Sequence, residues 1–116
     1  MSLLVTLKTT ELDEGIPGRI PQEAVLSGQA LTKSWEQDNV SGKVRSGVWE
    51  IEPSTVISRK GETWEFCQIL QGACVITPEG GAPVHYKAGD SFILKPGFVG
   101  TWEVTERLRK IYVIVS

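Results

Sequence analysis

The stretch that decides the fold is WEFCQILQG, residues 64–72. Successive side chains on a strand point to opposite faces. One face of this strand carries Trp64, Phe66, Gln68 and Leu70, and the other carries Glu65, Cys67 and Ile69. Both faces are mostly apolar, so both need cover. Bulk alone favours the Trp64/Phe66 face as the interior, which would send Glu65 to solvent. Gln71-Gly72 reads as a two-residue hairpin turn. Such a turn sets Ile69 against Cys74 and Cys67 against Ile76. The two cysteines then lie diagonally on one face, too far apart to bridge easily, and are expected as buried free thiols.

Outward from this stretch the chain continues as short β-branched and aromatic runs separated by turn residues. VRSGVWEI ends at Pro53, ACVIT at PEGG, APVHYK at AGD, SFIL at KPG and VGTWEV at TERL, and RKIYVIVS closes the chain. Turn signals at this spacing predict an antiparallel sandwich or barrel. The first 43 residues differ. TKSW suits a strand, whereas IPGRIPQEAVLSG reads as irregular with one short helical turn. The expected organisation is an N-terminal arm over residues 1–43, packing on the barrel or on a partner subunit, and a barrel over 44–116.

Composition narrows the function classes. The chain has 116 residues, 12 Lys and Arg against 14 Asp and Glu, and a net charge of −2. That length suits one domain. Lys and Arg form no long run, so neither nucleic acid nor an anionic membrane is an expected partner. No apolar run approaches the roughly 20 residues of a membrane helix. The opening MSLLVTLKTTELDEG has no basic start and is a poor secretory signal, so a cytoplasmic location with reduced thiols is expected. The doubly apolar strand 64–70 predicts a homodimer.

Two segments, EFCQILQG and GDSFILKPGFVGTW, together resemble the two motifs of the cupin family. The first is a glutamate, six residues and a glycine. The second is Gly-Asp, a strand and a proline–glycine turn. With SGVWEIEP before them and RKIYVIV after, they resemble the small single-domain cupins related to the cupin domain of (S)-ureidoglycine aminohydrolase, over about residues 31–116. The resemblance implies an all-β, cupin-type (RmlC-like) double-stranded β-helix, or jelly-roll barrel, with Glu65 turned inward. Fold alone does not set the activity.

A metal-binding cupin supplies His-x-His, the motif glutamate and a further histidine. Here Glu65 matches the glutamate. The His-x-His region reads Ser58-Arg59-Lys60-Gly61, and Gly100 stands at the last histidine. Three of four expected ligands are absent, so no metal and no cofactor are expected. The single histidine, His85, alternates with Val84 and Tyr86 and should face solvent, which leaves no histidine pair for acid–base work. In the cupin register the expected pocket comprises Glu65, Cys67, Trp49, Trp102, Gly100, Tyr112, Lys110 and Lys60. Gly100 would leave the space of the missing imidazole, and Arg59 and Lys60 would lie at the mouth. Glu65 would position a small polar ligand or move a proton. Whether the protein is an enzyme stays open. The alternatives are a non-catalytic dimeric binding or regulatory module, and a metal-dependent amidohydrolase-like enzyme with displaced ligands.

Overall fold

The computed structural model describes residues 2–116. It contains nine strands: β1 (Ile16–Arg19), β2 (Val25–Ser27), β3 (Leu31–Val40), β4 (Val44–Ile51), β5 (Ser54–Arg59), β6 (Trp64–Pro78), β7 (Val84–Lys87), β8 (Ser91–Leu94) and β9 (Val99–Val115). One 3-10 turn, Gln22–Ala24, is the only helical element among the described residues. No helix there is long and apolar enough to cross a membrane.

The all-β expectation holds, but two strands are longer than the sequence reading made them. Gln71-Gly72 is not a hairpin turn. β6 runs through it for 15 residues, and β9 likewise runs through Thr105–Leu108 for 17. The two pair antiparallel from Trp64 opposite Val115 to Pro78 opposite Gly100. Their register shifts between Ile69 and Cys74. Bulges of this kind bend a strand so that it can pass from one face of a barrel to the next. The halves of each strand therefore have different neighbours. β8 lies on the first half of β6 and β7 on the second, whereas β5 lies on the first half of β9 and β4 on the second. The result is one curled antiparallel sheet in the order β1-β3-β4-β9-β5-β2, closed along β9 by β6.

Gly72 sits at the bend with φ +89°. A Cβ there would overlap the Arg107 carbonyl of β9. It is a close crossing of two strands that demands glycine, rather than the tip of a hairpin.

The alternation along β6 is now settled. Glu65, Cys67 and Ile69 are buried inside, and Trp64, Phe66, Gln68 and Leu70 form the half-buried outer face. Inside, Cys67 and Ile69 pack with Ile51, Val56, Cys74, Ile76, Val104 and Leu108. Each fully buried Ile or Leu contributes roughly 1.5–3 kcal/mol to folding. Both cysteines are buried free thiols. Their cross-strand neighbours are not those of a hairpin: Cys67 lies opposite Tyr112 and Phe92, and Cys74 opposite Val104 and Tyr86.

Residues 16–40 are hydrogen-bonded into the sheet. β1 pairs with β3, β3 with β4 along its length, and β2 with β5. Ahead of them, Lys8 exchanges two hydrogen bonds with the Gln37 side chain, 2.7 and 2.8 Å. The Trp35 indole donates to the Asp13 carbonyl, so this segment lies over the outer face of β3. On that same outer side Glu50 accepts two bonds from Arg109, whose guanidinium stacks over Trp35 at 4.7 Å. His85 is exposed on β7.

The bend predicts a contrast between two glycines. Gly72→Ala should destabilise by more than about 2 kcal/mol, through the overlap with Arg107 and the left-handed backbone together. Gly80→Ala, at φ +74° with nothing within 4 Å of a new Cβ, should lose only about 1 kcal/mol. Urea denaturation followed by tryptophan fluorescence measures both. Equal losses would show that the strand crossing does not require glycine.

Candidate functional site: a buried lysine–glutamate–lysine cluster

The inner faces of β4, β5, β6 and β9, together with residues 16–24, line a cavity of about 660 Å³. Register explains what reaches it. Inward positions of β9 carry Trp102, Leu108, Lys110 and Tyr112, all buried. Lys110 lies opposite Ile69 on β6 and opposite Trp49 on β4. Its side chain runs along the barrel past Cys67 and places Nζ 2.7 Å from Glu65 Oε2. The same ammonium lies 3.4 Å from Cys67 Sγ. It also sits 4.7 Å from the ring centre of Trp49 and 4.8 Å from that of Trp102. Two aromatic faces thus flank one desolvated ammonium, a geometry the ring quadrupoles favour.

The other carboxylate oxygen is taken as well. Lys60 Nζ donates to Glu65 Oε1 at 2.6 Å. The Lys60 main chain is held in place by its own bonds, its N–H donating to the Phe98 carbonyl and its carbonyl accepting from Thr63, both 2.9 Å. Cys67 Sγ adds a donor at 3.2 Å to Oε2. Lys60 is the half-open member of the set, whereas the Glu65 and Lys110 side chains are 6% and 7% exposed.

Electrostatics follow from this packing. Burial alone would raise the Glu65 carboxyl, but the Lys110 and Lys60 ammoniums outweigh it and hold the group at about 2. Burial pushes the Cys67 thiol up to about 12, so it is neutral and not a nucleophile at ordinary pH. Burial would lower Lys110, yet Cys67 and Glu65 beside it more than reverse that. Because the thiol is neutral, the Glu65 carboxylate is the group that keeps this ammonium protonated. Burial also raises the Tyr112 phenol.

Six of the eight residues expected in the pocket line the cavity: Trp49, Lys60, Glu65, Trp102, Lys110 and Tyr112. Cys67 lies behind Glu65, fully buried. Gly100 is the correction. It leaves no space, since a Cβ there would stand 2.5 Å from the Thr77 carbonyl and 2.7 Å from the Phe98 ring. The room of the missing imidazole is filled by main chain and Phe98. The sequence reading missed Arg45 and the contribution of Ile16, Ile20 and Ala24, which all line the cavity. Arg45 could have been found, because it lies two inward positions before Gly47 and four before Trp49 on the same strand face. The wall also holds one buried side-chain donor without an acceptor among the described residues, the Trp102 indole N–H.

A jelly-roll barrel with a motif glutamate directed into its cavity defines a cupin. A family model of the EutQ-like cupin domain matches residues 39–112, and the chain belongs to this family. Among solved structures, a protein of unknown function from Pseudomonas syringae superposes with a TM-score of 0.77 at 25% identity, over 85% of this chain and 43% of that one. The chain thus spans less than half the length of that relative. A predicted oxalate decarboxylase from Thermotoga maritima gives 0.65 at 25% identity, over 88% and 93% of the two chains. The Clostridium difficile EutQ protein gives 0.64 at 18% identity, over 74% and 63%, a likeness of fold. No match was found among curated protein sequences.

Many cupins hold a divalent metal beside the motif glutamate, and the residues here do not suit one. Both Glu65 oxygens accept from ammonium groups, which would repel a cation. No three His, Cys, Asp or Glu side chains among the described residues come together as a ligand set. Lys110 Nζ stands beside the carboxylate and the thiol that a metal would need.

The cluster predicts a specific acid sensitivity. The folded Glu65 value, about 2, lies below the ordinary 4.5, so its stabilising contribution is complete above pH 4.5 and is lost as pH falls toward 2. The stability difference between wild type and Glu65→Gln should therefore shrink by about 3 kcal/mol across that window. Urea denaturation of both proteins at several pH values measures it. A difference independent of pH would show that the ion cluster does not stabilise the fold.

Proposed function

We propose that the protein binds a small polar metabolite in the barrel cavity and does so without a metal ion. The observation that supports this best is the buried Lys60–Glu65–Lys110 cluster at the wall of a cavity of about 660 Å³, beside the Trp49 and Trp102 rings. Concave sites with apolar and aromatic walls and a few convergent polar groups are the usual form of small-molecule sites. Structural ion clusters have no need of such a cavity.

Within this reading the resemblance to ureidoglycine aminohydrolase-type cupins extends to the barrel and its glutamate. Hydrolytic release of ammonia from a ureido compound would need a group that takes up a proton near neutral pH. Glu65, held at about 2, is a weak base, so we assign it as the anchor of two ammoniums and not as a proton carrier. The family's metal-dependent chemistry has no ligand set here to rest on.

Two measurements test the reading. Elemental analysis of purified protein should find Zn, Mn, Ni and Fe far below one per chain, and a chelator should leave the melting temperature unchanged. A stoichiometric, chelator-resistant metal would overturn the metal-free assignment. Thermal-shift screening against ureido, amino-acid-like and other small polar metabolites should find compounds that raise the melting temperature of wild type but not of Glu65→Gln. If nothing stabilises wild type, or if both proteins respond alike, the cavity is not a Glu65-dependent ligand site.

A further inference from the structure

The cavity is not electrically balanced. Four cationic side chains line it, Arg45, Arg59, Lys60 and Lys110, against two carboxylates, Glu36 and Glu65. In the buried part the imbalance is sharper, because two ammoniums share the single Glu65 carboxylate. Glu65 has both oxygens engaged. Lys110 spends its remaining contacts on Cys67 and two aromatic faces. Lys60 makes one side-chain hydrogen bond, to Glu65, although its side chain is only 14% exposed. An ammonium has three donors. Two Lys60 donors therefore lie at the cavity without a protein acceptor, and the Trp102 N–H in the same wall has none either. Arg45 and Arg59 have no carboxylate within 4 Å among the described residues.

A desolvated excess of donors and one positive charge is resolved by an acceptor carrying one negative charge. Resting on the reading of the cavity as a ligand site, we propose that its ligand is a small organic monoanion, a carboxylate, whose oxygens accept from Lys60 Nζ while its body lies among the aromatic and aliphatic walls. Charge magnitude selects a carboxylate over a phosphate dianion, which would leave a buried negative charge in place of the positive one. The walls select an organic ion over an inorganic one, since Trp49, Ile51, Val56, Trp102 and Ile114 offer it apolar surface. The two guanidiniums give the site an outer field that draws anions inward.

Matched probes separate charge from shape. Butyrate, butyramide and butylamine share one carbon skeleton and differ in charge, and inorganic phosphate supplies an anion without that skeleton. Titrations are followed by the indole N–H signals of Trp49 and Trp102 in ¹H–¹⁵N NMR spectra. Butyrate should shift these signals with at least ten-fold higher affinity than butyramide or butylamine, and higher than phosphate. Lys60→Met should weaken butyrate binding about ten-fold, and Lys60→Arg should restore most of it. Lys60 lies at the edge of the cluster, and the indole signals themselves report whether each variant is folded. Equal binding of butyramide or butylamine, or an unchanged affinity in Lys60→Met, would overturn the anion assignment and leave the ligand cavity standing. Tighter binding of phosphate would overturn the carboxylate assignment alone. If butyrate moves neither indole while the metabolite screen yields neutral or cationic binders, the anion inference is wrong and the cavity reading holds. If neither these probes nor that screen gives any response, both readings fail.

Discussion

Everything in this molecule hangs on the pairing of β6 with β9. These strands run side by side around the barrel, and each of the remaining long strands is attached to one half of one of them. Neither could make the journey straight. The bulged register between Ile69 and Cys74 turns both strands together, and Gly72 lets the two backbones approach at the turn. The same register fixes the interior, because it sets Cys67 against Tyr112 and Ile69 against Lys110. A slip of one residue would turn Glu65 and Lys110 to the outer surface and bring Trp64 and Phe66 inside. Topology and chemistry are therefore decided by one ladder of main-chain hydrogen bonds.

The buried charges sit where that ladder puts them, and their balance explains their protonation. A lone lysine at the Lys110 position would be driven toward its neutral form by burial, and a lone glutamate at position 65 likewise. Each keeps the other ionised, with Lys60 adding the second ammonium. Such a cluster is weak evidence for stability in itself, since desolvation offsets much of the attraction. It does fix geometry. Glu65 is held by three donors, one of them a thiol, and Lys110 is held between two rings.

Much of the fold was legible because alternation and turn chemistry are local. The strand runs over 44–51, 84–87 and 91–94 stand where apolar and turn residues placed them. Gln71-Gly72 misled because a glycine at a close strand crossing and a glycine at a hairpin tip look alike from neighbouring residues. What separates them is the Arg107 carbonyl, about 35 positions away and visible only in three dimensions. The direction of Glu65 was not in the pattern of its own strand, where the bulky residues face outward. It came from the paired motifs. Gly100 failed for the opposite reason: a missing side chain was taken for empty volume, and packing had already filled it with Phe98. Lys110 and Trp49 could be placed on inward faces, but their meeting depends on the offset of three strands, which no single stretch records.

The positive charge at the centre of this barrel is covalently part of the chain. A cupin that recruits a divalent ion has an electrostatic centre that depends on which metals the surroundings supply and can be stripped or exchanged. Lys110 is inserted at synthesis, in one copy per chain, and cannot dissociate. The field inside this barrel is thus set by translation and by pH, and is independent of any metal supply.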